Sequence, residues 1–177
     1  MSATPFQVAP FRIAQLDTAH DRTTFSCDRE PLDRYLKQQV SQDVKRRVAA
    51  CFVALADGQR IAGYYTLASG GLLLADLPDN VSKKLPRYPT VPVVRMGRLA
   101  VDKVFAGQGL GGALLADALD RAVSSEIAAF AMIVDAKDEE AAAFYLRHGF
   151  IALPESPLVL FLPLSTVALA RKDKIKS

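Results

Sequence analysis

Residues 98–115 read Arg98-Leu99-Ala100-Val101-Asp102-Lys103-Val104-Phe105-Ala106-Gly107-Gln108-Gly109-Leu110-Gly111-Gly112-Ala113-Leu114-Leu115. The first residues close an apolar run, Val93 to Val101, that reads as a strand ending at Asp102. A glycine-rich turn follows. Behind it lies an amphipathic helix with Leu110, Leu114, Leu115, Leu119, Ala122 and Val123 on one face. Strand, glycine turn and helix start together make an anion site in principle. The first amides of the helix point outward, and the dipole adds partial positive charge. Gly107, Gly109, Gly111 and Gly112 permit positive φ and put no Cβ in the way of a diphosphate. A purely structural turn accounts for the same letters.

Two familiar phosphate loops fit poorly. A Walker A loop needs Lys-Ser/Thr after its last glycine, and Gly112-Ala113-Leu114 stands there. A dinucleotide-binding fingerprint belongs near a first strand, whereas this loop lies past residue 100 behind an antiparallel-looking run.

Upstream, Phe11 to Leu16 reads as a strand. A helix is expected from about Glu30 to Arg47, capped by Asp28, with Pro31 in its first turn. Its stripe is Leu32, Tyr35/Leu36, Val40 and Val44. Cys51 to Ala56 and Ile61 to Leu74 read as a hairpin turning at Asp57-Gly58. Residues 76–92 carry Pro78, Pro86, Pro89 and Pro92 and read as a long ordered loop with room for one short helix. Downstream come a buried strand at Ala131 to Ala136 and a helix from Asp138 to His148. Gly149 stands where a left-handed cap belongs, and a last strand lies near Leu158 to Leu164. The order predicts a mixed α/β fold on one central sheet.

The 177 residues, half of them hydrophobic and 23% charged, suit one core-forming domain. We read residues 1–165 as that domain and 166–177 as a basic C-terminal tail. Cys27 and Cys51 are the only cysteines, which excludes a disulfide scaffold and a thiolate zinc cluster and leaves no metal site in view. The longest apolar stretches, such as Ile127 to Val134, fall well short of the ~20 residues of a membrane helix. The N-terminus shows no leader pattern, so a cytoplasmic address is expected.

Arg98-Leu99-Ala100-Val101-Asp102 with Gly107-Gln108-Gly109-Leu110-Gly111 resembles the acetyl-CoA-binding motif of the GCN5-related N-acetyltransferases (GNATs). Ala141-Ala142-Ala143-Phe144-Tyr145 with Gly149-Phe150 is similar to that family's second motif. The resemblance covers roughly residues 6 to 165. It implies an acyl-CoA N-acyltransferase fold: a mixed sheet, helices on both faces, and a strand splayed at the acetyl-CoA site. It implies that Leu99, Ala100 and Val101 pair with the pantetheine arm and that Gly107, Gln108, Gly109, Leu110, Gly111 and Gly112 hold the diphosphate. Phe144 would pack on the cofactor, and Tyr145 would protonate the leaving thiolate. One departure stands out. The family motif opens on Arg or Gln, and that position is Ala106 here.

Acetyl transfer to an amine needs a neutral amine, a stabilised oxyanion and a protonated leaving thiolate. A phenol, with a pKa near ~10, has a proton to give at neutral pH. A general base is harder to find. Asp102 reads as a strand terminator, Asp135 as a helix-entry residue, His148 as a last-turn structural residue, and His20 as a solvated loop residue. A lysine amine at about 10.4 needs a base, whereas an α-amine starts at about 7.7–8.0. Esterification of the neighbouring carboxyl lowers the α-amine further, so an aminoacyl ester needs none.

Phe25-x-Cys27, Leu32-Asp33-x-Tyr35-Leu36, Ile61-Ala62-Gly63-Tyr64-Tyr65-Thr66-Leu67, Leu85-Pro86-x-Tyr88-Pro89 and Val134-Asp135-Ala136-Lys137-Asp138 resemble one branch of that family, the tRNA-acetylating toxins of type II toxin–antitoxin pairs. The resemblance implies aminoacyl-tRNA as substrate, acetylated at its α-amine, a ribbon-helix-helix antitoxin as partner, DNA contact only through that antitoxin, and a homodimer. The net charge of +3 is small, but phosphate binding needs local cations. Lys45, Arg46 and Arg47 form one cluster. Lys83, Lys84, Arg87, Arg95 and Arg98 form another, with no acid between residues 80 and 101. Two other readings stay open: a GNAT acting on a small amine or protein lysine, and a non-catalytic regulatory binding module.

Overall fold

The computed structural model describes residues 11–176. Residues 1–10, read above for a leader pattern, and Ser177 lie outside the described residues. Seven strands are present: β1 (Arg12–Gln15), β2 (Ala50–Ala56), β3 (Arg60–Leu73), β4 (Thr90–Val101), β5 (Ala131–Asp135), β6 (Ile151–Leu153) and β7 (Ser156–Pro163). They form one sheet in the order β1-β2-β3-β4-β5-β7-β6. All the pairings β1–β2, β2–β3, β5–β7 and β6–β7 are antiparallel, and β4–β5 is parallel. A parallel pair needs a long crossover. The helix after the glycine turn, α4 (Leu110–Ser124), supplies it.

By internal packing the chain divides into two compact units. One holds the described residues up to Leu67 together with Arg98–Ala118; the other holds Ala68–Gly97 and the residues from Leu119 onward.

In the first unit, β2 and β3 turn at Asp57 and Gly58, both at positive φ. Their core holds Phe25, Cys51, Val53, Leu55, Ile61 and Tyr64. The expected long helix forms as α1 (Glu30–Arg34), a π-helical turn (Tyr35–Gln39) and α2 (Val40–Lys45). Its apolar residues Leu32, Leu36, Val40 and Val44 recur every four positions, wider than the ~3.6 residues of an α-turn. The π-turn, closed by Val40 N–H donating to the Tyr35 carbonyl, slows the rotation and keeps that stripe on the core. Asp28 does not cap this helix. It sits at φ 64, and Arg29 is the residue at the cap position, where its side chain makes no capping bond to the helix. Asp33 reaches back instead, accepting from Cys27 N–H at 2.9 Å.

In the second unit, a core of Leu72, Leu77, Val91, Val93, Ala131, Ile133, Leu153 and Phe161 lies under the proline-rich segment. That segment contains a 3-10 turn (Leu74–Asp76) and a short helix, α3 (Asp79–Ser82). The helix α5 (Glu139–Arg147) begins at Asp138, which accepts from Ala141 N–H. Two elements depart from expectation. β6 is a three-residue edge strand, too short for a sequence pattern. Residues 166–176, read as a tail, belong to the helix α6 (Leu164–Lys176), where Arg171 reaches Asp120 at 3.3 Å and the Ser124 hydroxyl at 3.0 Å.

Gly63 in β3 fixes how closely α4 approaches. A Cβ there would stand 2.9 Å from Leu114 Cδ1 and 3.0 Å from the Ala100 carbonyl. Gly63→Ala is therefore expected to cost about 1–3 kcal/mol, read as a lowered urea midpoint. An unchanged midpoint would show that the contact is soft.

Candidate functional site

The first unit carries the glycine turn. β4 ends at Val101, and Asp102 is 1% exposed. Its Oδ1 accepts from Val104 N–H at 2.8 Å and its Oδ2 from Ser26 N–H at 3.1 Å. A 3-10 turn, Lys103–Phe105, follows, and then the exposed run Ala106–Gly109. Gly107 and Gly109 each lie at φ +79, with open space around a hypothetical Cβ. The Gly109 carbonyl accepts the first helical bond from Ala113 N–H. The amides of Leu110, Gly111 and Gly112 are therefore the first-turn donors that the helix itself leaves unused. No acidic residue occupies that turn. An open cradle of amides with glycine on both sides and no opposing charge fits a diphosphate. Acetyl-CoA is the ligand of this chemistry that the motif implies.

The parallel register of β4 with β5 runs from Val93–Ala131 to Met96–Val134 and ends there. β4 continues without it through Leu99, Ala100 and Val101. Arg98, one residue earlier, lies with its guanidinium 3.5 Å from the centroid of the Tyr35 ring. The Tyr35 hydroxyl donates to Asp43 at 2.9 Å.

The second unit carries Tyr145. It is buried on α5, 8% exposed, and burial pushes its phenol up to about 12. Its position is closed by the helix end. Gly149, at φ +92, donates to the Leu146 carbonyl, and Phe150 N–H donates to the Tyr145 carbonyl. That is a Schellman closure, and the Tyr145 and Phe150 rings pack at 5.4 Å, as such a closure favours. Phe144 is half-buried, its ring 5.2 Å from that of Tyr145. His148 ends the helix, its Nδ1 2.8 Å from the Phe144 carbonyl.

The base candidates are engaged elsewhere. Both Asp102 oxygens are occupied. Asp135 is not a helix-entry residue: it ends β5 and pairs with Arg95 at 2.6 Å. His20 is not solvated either. It is buried, and its Nδ1 accepts from Asp17 N–H at 2.9 Å. Burial raises the Cys27 thiol to about 11 and the Cys51 thiol to about 12, so neither is a ready nucleophile.

The candidate cations divide. Lys45, Arg46 and Arg47, at the end of α2, and Lys83, Lys84 and Arg87, after α3, are exposed. Arg95 and Arg98 are half-buried and committed to Asp135 and Tyr35. Sequence reasoning passed over Gly63 and the Tyr65 hydroxyl, which donates to Asp117 on α4. A lone glycine inside a strand was the available signal for the first; a polar pair across a long sequence separation leaves none.

The model of the acetyltransferase (GNAT) family matches residues 13–150. A tRNA-acetylating toxin of Mycobacterium tuberculosis (strain ATCC 25618 / H37Rv) is 40% identical over 156 residues, 87% of this chain and 90% of that protein. The structure of AtaT complexed with acetyl-methionyl-tRNAfMet superposes with a TM-score of 0.84 at 30% identity, covering 90% of this chain and 98% of that one. An AtaT variant bound to the C-terminus of the antitoxin AtaR and acetyl-CoA gives a TM-score of 0.78 at 25% identity, covering 92% and 98%.

Asp102→Asn turns one acceptor oxygen into a donor facing a backbone N–H. The expected result is a loss of about 1–3 kcal/mol in denaturant titration, with the shape of the pH–rate profile unchanged. Disappearance of an acid limb would make Asp102 a base after all.

Proposed function

The chain belongs to the GNAT family of acetyltransferases, and from that premise we propose that it is the toxin of a type II toxin–antitoxin pair, transferring acetyl from acetyl-CoA to the α-amino group of aminoacyl-tRNA and so blocking translation. One observation carries the substrate class. The two carboxylates offered as bases, Asp102 and Asp135, are spent on backbone amides and on Arg95. An amine that arrives already neutral suits such a site, and the α-amine of an aminoacyl ester is the amine that does so near neutral pH.

The residues divide the work by place. The amides from Gly107 to Gly112 hold the diphosphate, assisted by the dipole of α4. The backbone of Leu99, Ala100 and Val101 lines the pantetheine arm, and Phe144 is the further cofactor residue that the family resemblance assigns. Ala106 removes one side-chain contact and leaves the amides in place. Acetyl-CoA, when bound, supplies an activated acetyl thioester. Tyr145 holds a proton at its phenol oxygen for the departing sulfur, and its upward shift keeps that proton in place throughout the physiological range. The exposed cations Lys45, Arg46, Arg47, Lys83, Lys84 and Arg87 grip RNA phosphates; Arg95 and Arg98 contribute the charge they do not spend within the fold. The partner is a ribbon-helix-helix antitoxin that carries the DNA contact, the toxin acts as a homodimer, and the place of action is the cytoplasm. No helix among the described residues is long and apolar enough to cross a membrane.

The direct test incubates the protein with labelled acetyl-CoA and charged total tRNA. Released amino acids are expected to carry label on the α-amine by mass spectrometry. Label on free amines or protein lysines alone would sink the reading. Tyr145→Phe is expected to bind acetyl-CoA as the parent does and to lose transfer by roughly 10²-fold or more.

The pH profile follows from the shift. Raising pH neutralises the amine, so the rate climbs through the amine's pKa. The phenol, raised to about 12, stays protonated well beyond that point. Initial rates should therefore rise and level off by pH 9; a descending limb between pH 8 and 9 would contradict the assignment of Tyr145.

A further inference from the structure

One large aromatic side chain stands outside every core cluster and outside the acetyl-transfer machinery. Tyr88 is 67% exposed. No ring or hydrogen-bond partner meets it among the described residues. It sits in the segment Lys83-Lys84-Leu85-Pro86-Arg87-Tyr88-Pro89, and Lys83, Lys84 and Arg87 are exposed beside it. No carboxylate occurs between residues 80 and 101.

The segment is built to hold its shape. Lys83 N–H donates to the Asp79 carbonyl, Lys84 N–H to Val81 and Leu85 N–H to Ser82. Its far end is closed by Leu74 N–H donating to the Pro89 carbonyl at 3.0 Å. Leu74, Val81 and Leu85 pack on the core that contains Val91 and Phe161. Pro86 and Pro89 fix φ on either side of the Arg87–Tyr88 pair. The ring is thus presented to solvent on a fixed loop, with its freedom already restricted before any partner arrives.

An aromatic face among cations is the arrangement that receives an unpaired nucleobase: the ring stacks, and the cations hold the neighbouring phosphates. Bases inside a duplex are already stacked and offer no free face. The substrate class argued above has unpaired nucleotides at the single-stranded 3′ end, which is the end that carries the reacting ester. We infer that Tyr88 is a stacking platform for an unpaired nucleotide of the tRNA 3′ end, with Lys83, Lys84 and Arg87 as its phosphate contacts. The inference rests on the aminoacyl-tRNA reading and adds a specificity-determining residue to it.

The test is a fluorescence-anisotropy titration of the full chain with 5′-labelled tRNA, either intact or shortened by its unpaired 3′ nucleotides. The parent is expected to bind intact tRNA roughly tenfold more tightly than shortened tRNA. Tyr88→Ala should lose that advantage and bind both alike, with Tyr88→Phe and Tyr88→Trp restoring it. The slope of log affinity against log salt should stay the same in all three, because no phosphate contact is removed. Joint reversal of Lys83, Lys84 and Arg87 to Glu should instead weaken both RNAs and flatten that slope. Unchanged acetyl-CoA binding by calorimetry reports an intact fold in each variant.

Three results overturn the inference: full affinity of Tyr88→Ala for intact tRNA, an equal loss on both RNAs, or a changed molar mass by light scattering, which would assign Tyr88 to self-association. Failure of the aminoacyl-tRNA reading is separately visible, because the parent protein would then transfer no acetyl to charged tRNA.

Discussion

The first unit turns on a buried carboxylate. Asp102 ends β4, caps the following turn through Val104 N–H, and holds Ser26 N–H from a segment 76 residues away. Burying a carboxylate is costly unless its oxygens are satisfied, and here two backbone amides satisfy them. Asp102 N–H also donates to the Ala62 carbonyl, and Lys103 N–H to the Ser26 carbonyl. Four hydrogen bonds thus converge where the strand becomes the glycine turn. The amide cradle that follows depends on that junction, because a helix start binds an anion well only if its first turn is held in place. The Gly63 contact adds a second constraint, fixing α4 against β3 from the other direction.

Local chemistry made some elements legible and tertiary context hid others. Asp57-Gly58 and Gly149 announce a turn and a C-cap through their own conformational preferences, and each forms where expected, while Asp138, read as the first residue of its helix, stands one position before it as the N-cap. The glycine turn and α4 were readable because a strand, a turn and a helical stripe follow one another without interruption. Asp28 misled because capping preference belongs to a residue type, whereas the cap also needs extended backbone, and Asp28 is left-handed here. β6 escaped notice because three residues carry no periodicity. α6 was hidden because its charges resemble a solvated tail, and the hold supplied by Arg171 comes from Asp120 and Ser124, far away in sequence.

The site was legible in kind and only partly in detail. Tyr145 and the glycines follow from the resemblance to the family's two motifs, and their geometry suits the roles that resemblance implies. The cations did not separate by sequence. Arg87 and Arg98 look alike as letters, yet one faces solvent and the other lies over an aromatic ring. A small net charge accordingly says little about how many cations are available to a polyanion. Availability depends on which cations already have a partner, and that is a tertiary property.

The π-turn at Tyr35–Gln39 has a consequence for how this helix tolerates change in length. It contains one residue more than an ordinary helical turn requires. Deleting a residue there would leave a regular helix with Val40, Val44 and the cations beyond them on nearly the bearing they have now, because the turn already absorbs that residue. Regularising the turn without a deletion would instead rotate everything beyond it by about 100°, carrying Val40 and Val44 off the core and swinging Lys45, Arg46 and Arg47 to a different bearing. The irregular turn is thus an indexing device: it sets which way the end of the helix points, and an ideal helix with the same number of residues would point elsewhere.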